Sequence, residues 1–380
     1  MHSQDRILTT HVGSLPRPQS VVDLLFAQDR GELSDERLFD ETVRQAIRDV
    51  VARQRAAGVD IVSDGEMSKI SYATYIRHRF TGFEPGEVPR AVPADLDEFP
   101  AYRDRLAREG ATPKYLRPVC KGPIAVKDVG PLQRDIARFR DALAEAGATG
   151  AFMTAASPGV VAVFQPNDYY PTRDAYLQAL AEALKSEYET IVGAGFLLQV
   201  DCPDLAMGRH IQFRDASDQE FIRNAEMQVE ALNYALSDIP AESVRMHLCW
   251  GNYEGPHTHD IPLEGILPVV LKAKPSAIAF EASNPRHAHE WVVWRDADIP
   301  EDKVLIPGVL DSVSNFVEHP QLVANRIMQF AAIVGREHVI AGTDCGFGTF
   351  AGFGRVDPDI CFAKLASLAE GAVLASEQLW

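Results

Sequence analysis

The run Phe196-Leu197-Leu198-Gln199-Val200-Asp201, FLLQVD, is apolar along nearly its whole length and ends on a carboxylate. A helical pattern over Arg173–Ala194 precedes it and another over Asp218–Leu236 follows it. An apolar strand between helix-length crossovers implies parallel pairing with both faces of the sheet covered. The same unit recurs outward in both directions. Further short apolar runs are Val59–Ser63, Val119–Val126, Ala151–Ser157, Arg245–Trp250, Ala277–Ser283, Val304–Asp311 and His338–Cys345. Helical patterns fall between them, at Leu38–Ala57, Leu132–Ala146, Pro262–Ala273, His287–Val293 and Pro320–Val334, and a last one at Pro358–Leu374 closes the chain. Eight such units are the count of an α/β fold of the (β/α)8 TIM-barrel type. A doubly wound open sheet is the alternative, but no glycine fingerprint follows the first strand. The expected organisation is a single domain over residues 1–380, with an N-terminal extension and a proline- and charge-rich excursion, Phe80–Pro118, between strands 1 and 2.

Composition sets the outer bounds. The chain has 380 residues, 46% hydrophobic and 24% charged, with a net charge of −17. Such a surface repels phosphate backbones and anionic lipid, which argues against nucleic-acid and membrane partners. No apolar run approaches the roughly 18–20 residues that span a bilayer, and the first residues lack the apolar core of a signal peptide. Cys120, Cys202, Cys249, Cys345 and Cys361 are odd in number and scattered. That pattern fits a reducing, cytoplasmic setting rather than a disulfide framework.

In a barrel, the chemistry sits at the C-terminal ends of the strands. The runs here end on Asp64-Gly65-Glu66, Asp201, His247 and Cys249, Glu281, Asp311, and Asp344 with Cys345. Charged groups and thiols do not belong in buried strands unless paired or ligated. His247 and Cys249 lie two apart in MHLCWGN (246–252), so both side chains face the same side of their strand. If that side is inward, Glu281 and Cys345 can reach the same point. An imidazole, two thiolates and a carboxylate make a tetrahedral set suited to Zn2+. For the His-x-Cys pair alone, the plain alternative is a buried cysteine beside a satisfied histidine. The glutamate inside IAFEAS and the glycine-flanked Cys345 in GTDCGFG shift the balance toward a metal. Carboxylate is the weakest of the four ligands, so it can yield its place to a substrate atom. Cys120 and Cys361 read as core, and Cys202 has no positional argument as a ligand. His257 and His259 form a second pair in a loop, read as substrate contact or solvated surface. Asp311 and Asp344 read as supports.

Six motifs in order, TTHVGSLPRP, SDGEMSK, VDCPDL, MHLCWGN, AFEASNPR and GTDCGFG, resemble landmarks of the C-terminal catalytic barrel of the cobalamin-independent methionine synthase family. The resemblance runs over essentially the whole chain, in the short single-barrel form. It implies that His247, Cys249, Glu281 and Cys345 hold zinc. It also implies that Val12-Gly13-Ser14 receive the carboxylate of an amino-acid thiol, and that Glu66 and Asp201 grip its ammonium. Carboxylates facing an ammonium and a Gly-Ser turn facing a carboxylate are also sound chemistry on their own. Without a ligand, Asp201 would steady a histidine and Glu66 would cap a helix start.

The implied activity is a zinc-dependent methyl or alkyl transfer to a small-molecule thiol, with homocysteine, giving methionine, as the first choice. The second substrate is a methyl or alkyl donor. Two departures bear on that donor. The family's full-length enzymes carry a second barrel that helps hold folate, and this sequence contains one barrel's worth of units. The family also carries a proton-transferring histidine in a D-x-H-S pattern after the seventh strand. Here the stretch is Asp311-Ser312-Val313-Ser314, with Val313 in that place. Epoxyalkane:coenzyme M transferase, which has a similar zinc site and adds a thiol to an epoxide, is therefore a rival. A metal-free barrel enzyme resembling uroporphyrinogen decarboxylase is more remote. Assembly into a homo-oligomer is compatible with any of these readings.

Overall fold

Strand β1 is only Leu8–Thr9, and β2 only Ile61–Val62. The others are β3 (Gly150–Ala156), β4 (Leu197–Asp201), β5 (Val244–Leu248), β6 (Ala277–Glu281), β7 (Val304–Leu310) and β8 (Ile340–Thr343). All pair in parallel, in the order β1-β8-β7-β6-β5-β4-β3-β2. The seam between β2 and β1 is drawn together by Asp60 N–H donating to the Thr9 carbonyl at 3.2 Å and by the Thr10 hydroxyl donating to the Ile61 carbonyl at 3.0 Å. The result is a (β/α)8 TIM barrel. The molecule is a computed structural model that describes residues 2–86, 92–108 and 117–380.

Side-chain alternation separates two cores. Ile61, Phe152, Ala277, Ala279, Val304, Ile306 and Ile340 pack together inside the barrel. Met246, Leu248, Leu198, Val200, Ile278 and Phe280 face the helices with the larger core. The period of two therefore turns Arg245, His247, Gln199 and Asp201 to the inside. Register brings them level: Asp201 pairs with His247, His247 with Ala279, and Glu281 with Gly308.

Helices run close to where the periodicity places them. They include Glu36–Ala56, Gly130–Ala146, Arg173–Gly193, Asp218–Ala235, Pro320–Val334 and Pro358–Leu379. Their starts are fixed by side chains that accept otherwise unbonded N–H groups. Asp35 takes the N–H of Arg37 and Leu38, Thr172 that of Ala175, and Ser217 that of Glu220. The expected helix over His287–Val293 is a short 3-10 turn, Ala288–Glu290, running into Trp291–Asp296. Among the described residues, no helix is long and apolar enough to cross a membrane.

The identity of the strands differs from expectation at two places. Val119–Val126 is not in the barrel. Its first residues belong to Arg117–Cys120, which pairs antiparallel with Phe83–Gly86 in a separate two-stranded ribbon. The run then breaks at Gly122-Pro123, where Pro has no N–H for a ladder. The missing barrel strand is Leu8–Thr9, so the N-terminal segment is the barrel's first unit rather than an extension. It reads as polar because its partners are polar. Thr9 donates N–H and hydroxyl to Asp60 at 3.0 and 3.1 Å, and Asp60 also holds Arg6 at 2.7 Å. The excursion therefore lies between β2 and β3. Of Phe80–Pro118, residues 87–91 and 109–116 lie outside the described residues. The remainder includes the helices Ala94–Glu98 and Pro100–Arg108.

Candidate metal and thiol site

The C-terminal ends of β5 and β8 deliver three buried donors to one place. Candidate ligand atoms of His247, Cys249 and Cys345 all lie within 4.8 Å of one another. The Cys345 thiol lies 3.3 Å from Glu281 Oε1, which joins the glutamate to the set. Two loops hold Glu281 in place: after β5 the Trp250 N–H donates to its Oε1 at 3.2 Å, and after β6 the Asn284 amide donates to its Oε2 at 2.8 Å. The loop after β6 is itself tied to the end of β8, since Asp344 accepts the N–H groups of Ala282, Ser283 and Asn284 at 2.8, 2.9 and 2.8 Å. Gly308 on β7 is required by this arrangement, because a Cβ there would sit 2.3 Å from Asp344 Oδ1 and 2.5 Å from its backbone.

The electrostatics suit a cation. Burial, with Arg245 below, pushes the His247 imidazole down to about 3, so the ring is neutral. Its Nδ1 is buried without a hydrogen-bond partner. Burial raises the Cys345 thiol well above the ordinary range, and neighbouring Cys249 and Glu281 add to the rise. Burial also raises Glu281, against the opposing charge of His287. A neutral imidazole with an orphaned nitrogen, two thiols and a carboxylate compose a set that fits Zn2+. A divalent ion there would reverse the pressure that keeps the thiols protonated.

A second group of polar residues lies in the same barrel mouth. Glu66, in the left-handed region at φ 58°, accepts from the Thr154 hydroxyl at 2.8 Å and faces Arg17 at 3.5 Å. Asp201 accepts from the Gln199 amide at 2.7 Å, and the same amide donates to the Val12 carbonyl. Gly13, at φ 132°, fits against β3 only because it lacks a Cβ, which would fall 2.5 Å from Thr154 Cγ2. Ser14 accepts the N–H of Phe347 at 2.9 Å, so the turn after β1 is latched to the turn after β8. Burial raises the carboxyl of Glu66, and burial together with Glu66 raises that of Asp201 far more. Two carboxylates held this close gain from a cation placed between them.

Sequence reading missed several participants. The Tyr72 phenol is pushed well above its usual range by burial and by the charges of Asp201, Cys249, Glu66 and Cys345, so it is near enough to both groups to feel their charge. It follows SDGEMSK in a turn with no periodicity to mark it. Gln199 and Thr154, which orient Asp201 and Glu66, look like ordinary strand residues. Asn252 donates to the Gly346 carbonyl at 2.7 Å and to Thr349 at 2.8 Å, bridging the β5 and β8 loops.

Of the remaining residues singled out earlier, Asp311 and His257 line the cavity beside Glu281 and Cys345, and the others lie apart from it. Cys120, Cys202 and Cys361 are buried in the core. Asp311 caps its own loop by accepting the Val313 N–H at 3.0 Å. His259 is exposed and meets Glu98 at 2.7 Å, whereas His257 is buried, contrary to a solvated-loop reading.

Residues 7–86 match the family model described as the catalytic domain of cobalamin-independent synthase. A methionine synthase of Saccharolobus islandicus is 26% identical over 379 residues, covering 98% of this chain and 95% of that protein. One of Sulfurisphaera tokodaii is 23% identical over 377 residues, covering 98% and 93%. A B12-independent methionine synthase from Shewanella, solved with selenomethionine, superposes with a TM-score of 0.74 at 19% identity, covering 98% of this chain and 99% of that one. Motifs, relatives matched over nearly their whole length and fold agree: this chain is similar to members of the cobalamin-independent methionine synthase family.

Proposed function

We propose that the chain, acting as one catalytic domain over residues 1–380, is a zinc-dependent transferase that moves a methyl or alkyl group onto the sulfur of homocysteine. The observation that carries this reading is the convergence, in one barrel mouth, of a soft metal-binding set with two carboxylates and a Gly-Ser turn. His247, Cys249, Glu281 and Cys345 would hold Zn2+. When bound, the ion would ionise a substrate thiol near neutral pH, where a free thiol with pKa about 8.5 is mostly protonated, and keep the sulfur nucleophilic.

The protein's own residues supply the rest. Val12–Ser14 receive the substrate carboxylate, and Glu66 and Asp201 receive its ammonium, which relieves their mutual repulsion. Asn284 and the Trp250 N–H retain the Glu281 carboxylate when substrate sulfur takes its place.

An ammonium-bearing thiol is favoured over a sulfonate thiol by how the nearby cations are used. Arg17 is committed to the carbonyls of Glu66 and Gly348 and to the Glu66 carboxylate. Lys69 donates to the Thr154 carbonyl at 3.1 Å. Neither is left facing the mouth for an anion; Arg286, the third cation near these motifs, does line the cavity beside Glu281 and Cys345. The relatives' name, methionine synthase, and the selenomethionine in the Shewanella structure support the same thiol.

Zinc-edge X-ray absorption with and without homocysteine tests the reading. A rise from two sulfur ligands to three is expected. No change on adding homocysteine refutes the thiol assignment, and well-folded protein that takes up no zinc refutes the metal.

A further inference from the structure

The proton-transferring histidine that the family resemblance places after β7 is Val313 in this chain. Val313 lines a cavity of about 340 Å3 together with Cys345, Glu281, Asn252 and one histidine, His257, from the loop after β5. We propose that His257 is the acid that protonates the leaving group of the donor, the role vacated at Val313. This rests on the thiol-transfer reading above and adds a residue to it.

The geometry supplies both a proton and its anchor. His257 Nδ1 lies 2.9 Å from Asp260 Oδ2, and Nε2 lies 3.1 Å from the Tyr253 carbonyl. A carbonyl only accepts, so Nε2 carries hydrogen, and a carboxylate at Nδ1 holds the second. Asp260 Oδ2 is shared with His287 Nε2 at 2.9 Å, and His287 Nδ1 meets Glu290 at 2.8 Å. Of this chain of groups His257 is the one that lines the cavity, with its side chain 11% exposed against 4% for His287 and Asp260. With every ring nitrogen already facing an oxygen, this cluster is a hydrogen-bonded relay rather than a second metal site.

His257 is also held firmly. Its backbone lies in the left-handed region at φ 52°, uncommon for a non-glycine residue. Its N–H donates to Asp95 of the excursion at 2.8 Å. The other groups facing it are Tyr253, whose hydroxyl also bonds Asp95, and His210, 6.2 Å away ring to ring, with Glu281 across the cavity. Burial works against charge on His257, but the Asp260 carboxylate outweighs it and raises the ring above its ordinary range.

In the step itself, a lone pair of the substrate sulfur forms the new S–C bond. The bond from that carbon to the donor's oxygen or nitrogen breaks, and its electron pair stays on that atom. The Nε2 proton leaves the Tyr253 carbonyl for the same atom, and neutral His257 keeps its Nδ1 hydrogen on Asp260. A proton from solvent restores the ring.

The test compares two electrophiles on zinc-loaded protein with homocysteine. Iodomethane releases iodide, which needs no proton, whereas opening 1,2-epoxypropane creates an alkoxide that does. General-acid catalysis contributes about 10^2–10^4 in rate. His257→Gln should therefore slow the epoxide reaction about 100-fold or more and leave the iodomethane rate and zinc content unchanged. Asp260→Asn should lower the epoxide-to-iodide ratio in the same direction. In the wild type that ratio should fall with rising pH, and in His257→Gln it should stay flat. Nitrogen-15 NMR should find the His257 ring doubly protonated at pH 7. An unchanged ratio in His257→Gln, equal loss of both rates, or a neutral ring at pH 7 each overturns the proposal. Failure of the wild type to alkylate homocysteine with iodomethane would instead sink the thiol reading, and this proposal with it.

Discussion

Adding one methyl group beside the metal set should weaken substrate binding without touching the metal. A Cβ at Gly346 would lie 2.0 Å from Ser14 Oγ and 3.2 Å from the Ser14 Cβ and carbonyl oxygen. The Ser14 backbone cannot retreat, because its carbonyl is held by the Phe347 N–H at 2.9 Å. The hydroxyl can rotate to another rotamer, so Gly346→Ala should turn Oγ away while the strand ends stay in place. If that hydroxyl donates to the substrate carboxylate, the variant loses one hydrogen bond to a charged group, worth about 1.5–3 kcal/mol. At about 1.4 kcal/mol per tenfold, homocysteine should bind roughly 10–150 times more weakly. Calorimetric titration of zinc-loaded protein measures this. Ser14→Ala removes the same bond without the added methyl and should match it within a few-fold, and the double variant should cost little more than either single change. Wild-type affinity in Gly346→Ala would refute the reasoning. So would a tight-binding Ser14→Ala beside a weak Gly346→Ala, since the methyl would then be acting by blocking the site.

Cys345→Ser should lose zinc and transferase activity together, measured by metal analysis and turnover; full zinc retention would contradict the ligand assignment. Glu66→Gln should keep zinc but weaken homocysteine binding about 10- to 100-fold, from loss of one charge-assisted contact to the ammonium; unaltered affinity by calorimetry would contradict its role. The third concerns pH. His11 donates Nε2–H to Gln54 at 2.7 Å and accepts the Gly13 N–H on Nδ1 at 3.1 Å, which fixes a neutral ring, and burial lowers it to about 4. An unfolded histidine titrates near 6.5, so protonation favours the unfolded chain. The His11 contribution is complete above pH 6.5 and falls by about 2 kcal/mol by pH 5. His247, held near 3 in the metal-free protein, adds a fall of the same sign. Urea unfolding of metal-free protein at pH 7 and pH 5 should show this loss reduced in His11→Asn; an identical loss would contradict it.

The barrel and the meeting of the candidate metal ligands were legible because both follow from period and position. Apolar runs alternating with amphipathic helices imply buried parallel strands, and a period of two carries His247 and Cys249 to one side. Chemically unusual residues at strand ends then pick out one face of the barrel. What stayed hidden depended on partners distant in sequence. Leu8–Thr9 is too short and polar to read as a strand, yet it closes the barrel because Asp60 and Ile61 lie opposite it. Val119–Val126 has the composition of a strand, but its pairing with Phe83–Gly86 takes it out of the barrel.

The sequence by itself determined which side chains can bind a soft metal and that they share the mouth of one fold, since residue type and periodicity are local properties. Only the tertiary structure decided which loops meet there. It brought Tyr72 within reach of the charges of both the acids and the thiols, and Asp344 under the loop that carries Glu281. It also threaded Asp260, His287 and Glu290 behind His257. Those hydrogen bonds join residues up to 62 positions apart, and they exist because buried polar groups must find partners wherever the closed barrel places them.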